Sequence, residues 1–140
     1  PGRSKLDTTA VQYHSRFSIG VIEMADHRRI DISEVGNVTL VRFLDRKILD
    51  EPSIQTLGQV LFDLVEKQNR KQLLLNFAQV EFLSSAALGK LITLEKKVKS
   101  VSGTIKLSNI RPEIYEVFNI TRLNQVFEIH DDEAEALAKF

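Results

Sequence analysis

No cysteine occurs among the 140 residues of the chain. Disulfides and thiolate metal sites are therefore excluded. Neither sign of charge is in excess: 19 Lys and Arg residues balance 19 Asp and Glu. That argues against direct nucleic-acid binding through bulk charge, because neutralising phosphates needs a basic excess or a basic face. No apolar run approaches the roughly 20 residues of a membrane-spanning helix. The segment RFSIGVIEMA is short and is interrupted by Glu23. The phosphate-cradling pattern G-x-x-x-x-G-K-[ST] is missing, SAALGKL having a single glycine before its lysine. So is the G-x-S-x-G nucleophile elbow. With neither cysteine nor a recognisable secretory signal, the expected compartment is the cytoplasm.

What is present suits one domain. The length supports a single core, and 43% hydrophobic with 27% charged residues is ordinary for a globular chain. The sequence opens on Pro1, and its one methionine is Met24. Residues 1–25 are read as an N-terminal extension, either added ahead of a natural start at Met24 or contributing an extra strand over Phe17 to Ile22; the domain proper is 26–140.

From Met24 onward strands and helices alternate. RRIDISEVG and VTLVRFL flank Gly36-Asn37 and read as a hairpin. Ile54, Leu57, Leu61 and Leu64 recur at steps of three and four, one face of a helix that Asp50 or Pro52 begins. KQLLLNF is a continuous apolar run suited to a strand covered on both sides. Leu88, Leu91, Ile92, Glu95 and Val98 return to helical spacing, Gly103 ends that segment, and TIKLSNI alternates again. Pro112 sits one turn into a short helix with Ile114, Val117 and Phe118 inward; QVFEIH is a last strand, and DDEAEALAKF a helix with acidic residues at its positive end. The order is β-β-α-β-α-β-α-β-α. It implies an α/β fold in which a mixed sheet of four to five strands packs against about four helices.

Chemistry-bearing patterns are few. His14, His27 and His130 are scattered, and they read as surface or strand-end residues rather than metal ligands. Asp131, Asp132 and Glu133 suit a helix dipole better than a metal cluster. Lys96, Lys97 and Lys99 read as a solvated helix face. A triad of Ser85, His130 and Asp131 has no spacing signal behind it. No cofactor or metal is expected, and the chain reads as a non-enzyme; a hydrolase using Ser84 or Ser85 is the weakest option. There remains VEFLSSAALGKLI, where two adjacent hydroxyls stand between an apolar pair and a helical pattern.

On these residues the segment from Val38 to Leu137 resembles a STAS domain of the anti-sigma factor antagonists. That family carries an apolar pair, then D-S-S/T-G-L-G opening a helix; here stand Phe82-Leu83 and Ser84-Ser85-Ala86-Ala87-Leu88-Gly89. The family's helix after a proline matches Pro112 to Phe118, its T-G-L-x-x-x-F segment matches Thr121 to Phe127, and its G-x-L-D matches Leu49-Asp50. Among the departures from the pattern are Ser84 for the aspartate, Ala87 and Arg122 for glycines, and Lys47 for the glycine of G-x-L-D.

The resemblance implies a regulator that binds an anti-sigma factor doubling as a serine kinase, is released by phosphorylation, and is restored by a serine phosphatase. The phosphorylated residue falls on Ser85, with Ser84 as second choice. Asp45, Asp50, Ser84, Ser85, Ala86 and Ala87 are the expected partner-binding residues, and the chain is expected to be a monomer or weak dimer. Phosphate in the first turn of a helix is tolerated by the dipole while it changes the surface by about −1.5 to −2 charges. Two alternatives remain: Ser84 as an N-cap with no phosphate on either serine, and a STAS scaffold or sensor module that binds a protein or small ligand without phosphorylation.

Overall fold

The computed structural model describes residues 18–23 and 29–140; His14, Met24 and His27 lie outside them. Along the chain these residues form β1 (Ser18–Glu23), β2 (Arg29–Val35), β3 (Val38–Phe43), β4 (Lys47–Ile48), α1 (Glu51–Glu66), β5 (Gln72–Asn76) and β6 (Phe82–Leu83). Then follow α2 (Ser85–Ser100), β7 (Thr104–Ser108), α3 (Pro112–Ile120), β8 (Glu128–His130) and α4 (Glu133–Ala138). With β1 and the two-residue β4 and β6 set aside, this is the order expected from sequence. The sheet runs β1-β2-β3-β5-β7-β8. Its first two pairings are antiparallel, and those of β3 with β5, β5 with β7 and β7 with β8 are parallel.

Each element follows from a local cause. The β2–β3 hairpin turns at Gly36, whose φ of +61° suits a residue without Cβ. Asp50 caps α1 by accepting the N–H of Ser53, and Pro52 stands in the first turn, where no intrahelical donor is needed. Helices α1, α2 and α3 pack Ile54, Leu61, Leu91, Leu94, Ile114 and Phe118 onto one face of the sheet. A string of rings, Phe43, Phe77, Phe118 and Phe127, runs through this core with successive centroids 4.9, 6.4 and 6.1 Å apart. The other face is covered by α4, whose Ala136 and Leu137 meet Val38, Leu40 and Leu74 along with Phe140.

One expectation is corrected here. Pro112 is the first residue of α3, not a turn inside it, because its ring would displace an interior N–H. Ile114 and Phe118 are buried and Val117 is partly buried against the same core, so all three face inward as expected.

The sheet ends in a polar rung. In register, Asp31 pairs with Arg42, Arg42 with Asn76, Asn76 with Ser108, and Ser108 with His130. Glu133 of α4 closes onto its middle. Arg42 donates twice to this carboxylate, at 2.7 and 2.8 Å, and the Asn76 amide donates to it as well. The role expected for Glu133 was dipole complementation alone; its main contact is this fork-like ion pair.

The Arg42 hydrogen bonds, aided by Asn76, hold the Glu133 carboxyl below its ordinary value of 4.5 against partial burial. A depressed folded-state value means that the contribution is fully present above the unfolded value and is lost as pH falls through the folded one. The stability difference between the wild type and Glu133→Gln is therefore largest above about pH 4.5 and shrinks on acidification, as urea titrations over a pH series would read.

Arg122 adopts φ +64°, the left-handed region, where the resembled motif has glycine. An L side chain is strained there. Arg122→Gly should raise stability by about 0.5–1 kcal/mol in urea denaturation, the strain relieved exceeding the added freedom of the unfolded chain.

Candidate functional site

The strands β3 and β5 do not lead straight into α1 and α2. Between strand and helix each connection makes a short extended piece, and the two pieces pair in parallel: Lys47 with Phe82, and Ile48 with Leu83. The amides of Glu81 and Phe82 both donate to the Arg46 carbonyl, at 2.7 and 3.0 Å, and the Ser84 amide donates to that of Ile48 at 3.1 Å. This ribbon sets the caps Asp50 and Ser84 next to one another. The helices then run side by side in the same direction, joined near their starts by Lys90 to Gln55 and near their ends by Lys97 to Glu66. Two positive helix ends thus share one edge of the domain.

The two serines separate clearly. The Ser84 hydroxyl oxygen accepts the Ala87 N–H at 3.2 Å, the geometry of an N-cap, and Ser84 is half-buried. Ser85 is the first residue of α2 and is exposed, as is Ala86. Ala87 corrects the expected docking surface. It is 3% exposed and belongs to the core, since the first turn already directs its third residue toward the sheet, so its methyl group is not available to a partner. Asp45 and Asp50 are half-buried on the connection that leads into α1, Asp50 as its cap.

Around the serines lie groups that the sequence does not mark as partner-binding. Phe82 is 47% exposed and Leu49 48%, while their neighbours Ile48 and Leu83 turn inward. Lys47 stands over the Phe82 ring, 5.5 Å from its centroid. Glu81 bonds Arg46 at 3.0 Å and lies 3.9 Å from Arg111. The Arg46 hydrogen bond holds its carboxyl below the usual range, and the charges of Arg46, Arg111 and Lys47 reinforce this. A two-residue strand is too short to show period-two alternation, so the outward turn of Phe82 left no signal in the sequence.

The imagined triad does not assemble. His130 bonds Glu128 at 2.6 Å and faces Glu135 at 4.0 Å, and no hydrogen bond or ion pair joins it to Ser85 among the described residues. Among those residues no three His, Asp or Glu side chains are grouped as metal ligands. Nor is any helix among them long and apolar enough to cross a membrane.

Comparison with known proteins bears on the family and the fold. The STAS domain model matches residues 29–136. A homolog of TM1081 from Thermotoga neapolitana, a candidate anti-sigma factor antagonist, is 28% identical over 98 residues, covering 70% of this chain and 87% of the relative. BtrV of Bordetella bronchiseptica, with the same candidate description, is 25% identical over 93 residues, 66% of this chain and 79% of its own. An anti-sigma factor antagonist from Mycobacterium paratuberculosis superposes with a TM-score of 0.71 at 20% identity, over 84% of this chain and 97% of its own. The phosphorylated form of SpoIIAA from Bacillus gives 0.63 at 19% identity, over 79% and 97%.

The capping geometry is testable in isolation. Ser84→Ala should cost about 1 kcal/mol in urea denaturation, whereas Ser84→Asp, an equally good cap with a charge suited to the dipole, should leave stability unchanged or slightly raised.

Proposed function

The chain belongs to the STAS domain family, and on that premise we propose that it acts as an anti-sigma factor antagonist, a non-enzymatic regulator that binds an anti-sigma factor with serine kinase activity and is released by phosphorylation of Ser85. A serine phosphatase restores the free hydroxyl, and the cycle regulates transcription that depends on a sigma factor.

One observation carries this reading: the Ser84 hydroxyl is engaged in capping α2, while the adjacent Ser85 is exposed in the same first turn. An acceptor hydroxyl has to enter a kinase site, which an exposed residue allows and a capping hydroxyl resists. The phosphoryl group would arrive beside two helix ends whose first-turn N–H groups lack intrahelical partners, so α2 need not unravel. What changes is the surface. A small polar and methyl patch at Ser85 and Ala86, flanked by apolar Leu49 and Phe82, gains a bulky dianion. A partner packed on that patch meets repulsion and a desolvation penalty. Asp50, Asp45 and Ser84 lie on or behind the same edge and complete the contact region.

A second reading has its own observation. The first turn of α2 carries no acidic residue, the aspartate of the resembled motif being replaced by Ser84. A kinase that reads that charge would not recognise this segment, and the chain would then act as a binding scaffold or sensor without phosphorylation.

Protein recovered from its native cells during growth and under stress, analysed by intact-mass and peptide mass spectrometry, separates the two. Phosphate on Ser85 whose occupancy changes with condition is the expected result, with Ser85→Ala locked in the partner-bound state. Phosphate on Ser84 would move the acceptor by one residue. Unmodified serines under every condition, with Ser85→Ala leaving partner binding and its regulation intact, would establish the scaffold reading.

A further inference from the structure

Asn76 ends the central strand, is 7% exposed, and uses both ends of its side-chain amide. Its nitrogen donates to the Glu133 carboxylate of α4, and its oxygen accepts the N–H of Ala78 at 2.7 Å. The chemistry of the partners fixes this orientation: a backbone N–H can meet only the oxygen, and an ionised carboxylate only the nitrogen. Glu133 is itself held by the fork of Arg42.

Ala78 begins the connection that leads to the serines. Its carbonyl accepts from Arg111 Nε at 3.0 Å. Beyond it Val80 is buried, and the amides of Glu81, Phe82 and Ser84 are tied to the Arg46 and Ile48 carbonyls. Two sets of hydrogen bonds, one from Glu133 of α4 through Asn76 to Ala78 and one from Glu81 to Ser84 at the start of α2, are therefore joined by the short stretch of backbone between Ala78 and Glu81 and by the 3.9 Å ion pair of Arg111 with Glu81.

We propose that Asn76 is a positioning residue that couples α4 to the segment carrying Ser84 and Ser85. Glu133 holds the Asn76 amide in the orientation that pins Ala78. Displacement of the short helix α4 from the sheet frees that amide and loosens the segment from which Ser85 is presented. The importance of the coupling for regulation rests on the switch proposed above; the coupling itself does not.

The test is amide hydrogen exchange, resolved by residue, on the unmodified protein, which needs neither partner nor phosphate. In Glu133→Ala, exchange at Ala78 and from Val80 to Ser84 should rise about tenfold or more, the order expected for loss of a charge-assisted hydrogen bond. In Glu133→Gln, which keeps an acceptor but not the charge, the rise should be smaller. Glu135→Ala disturbs a carboxylate on the same helix that bonds the Asp131 amide and does not touch Asn76; exchange from Ala78 to Ser84 should stay at the wild-type rate. With Asn76→Ala as background, adding Glu133→Ala should change that segment no further. Faster exchange confined to α4 in Glu133→Ala would overturn the proposal, as would an equal factor at every amide, which reports global destabilisation alone. Absence of phosphate on Ser85 would remove the switch and leave the exchange result standing.

Discussion

The central strand has no side open to water. Leu73, Leu74 and Leu75 of β5 are all at 0% exposure, so consecutive residues on opposite faces of the sheet both require a covering layer. On one face α1, α2 and α3 supply it; on the other α4, only six residues long, does so with Ala136 and Leu137. So short a helix has little propensity to form alone. Its place depends on Leu74 and Leu40 needing cover and on Glu133 finding Arg42 and Asn76. The strand that anchors the core thereby also dictates where the polar end of the sheet is locked.

The same constraint explains the location of the site. Parallel strands deliver their C-terminal ends to one edge of the sheet, and every helix that follows them begins there. Here the paired connections β4 and β6 add precision, since a hydrogen-bonded ribbon rather than a free loop carries each cap into place. A regulator that works by surface chemistry benefits from such rigidity. Under the switch proposed above, a partner would meet a fixed arrangement of hydroxyl, methyl and aromatic groups, and a single added dianion would change its character without the fold having to move. The departures from the family motif fit this scheme locally. Ser84 still caps, as an aspartate would, Ala87 is absorbed by the core, and Lys47 lies across Phe82.

Much of the fold could be read from residue patterns because the pattern and the burial have one cause. A face of leucines at helical spacing has to be covered, and a run such as QLLLN has to be covered twice. The order of strands and helices, the Gly36 turn, the Asp50 cap and the central place of β5 all follow from signals of that kind. The serine segment was legible too, through its resemblance to a known motif. The ribbon was not, since two residues carry no period. The outward turn of Phe82 goes with it, and the inward turn of Ala87 is equally silent, because a small residue beside two serines does not say which way it points.

The sequence by itself determined which segments are strand or helix, which faces are apolar and which hydroxyls stand at a helix start, because these depend on neighbours within a few residues. The tertiary structure decided the rest. It left Ser85 exposed, turned Ala87 into the core, aligned Asp31, Arg42, Asn76, Ser108 and His130 into one rung, and brought Glu133 across 57 residues of chain to Asn76. Those relations depend on strand register and on helix placement over the sheet, and both are fixed only when the layers pack.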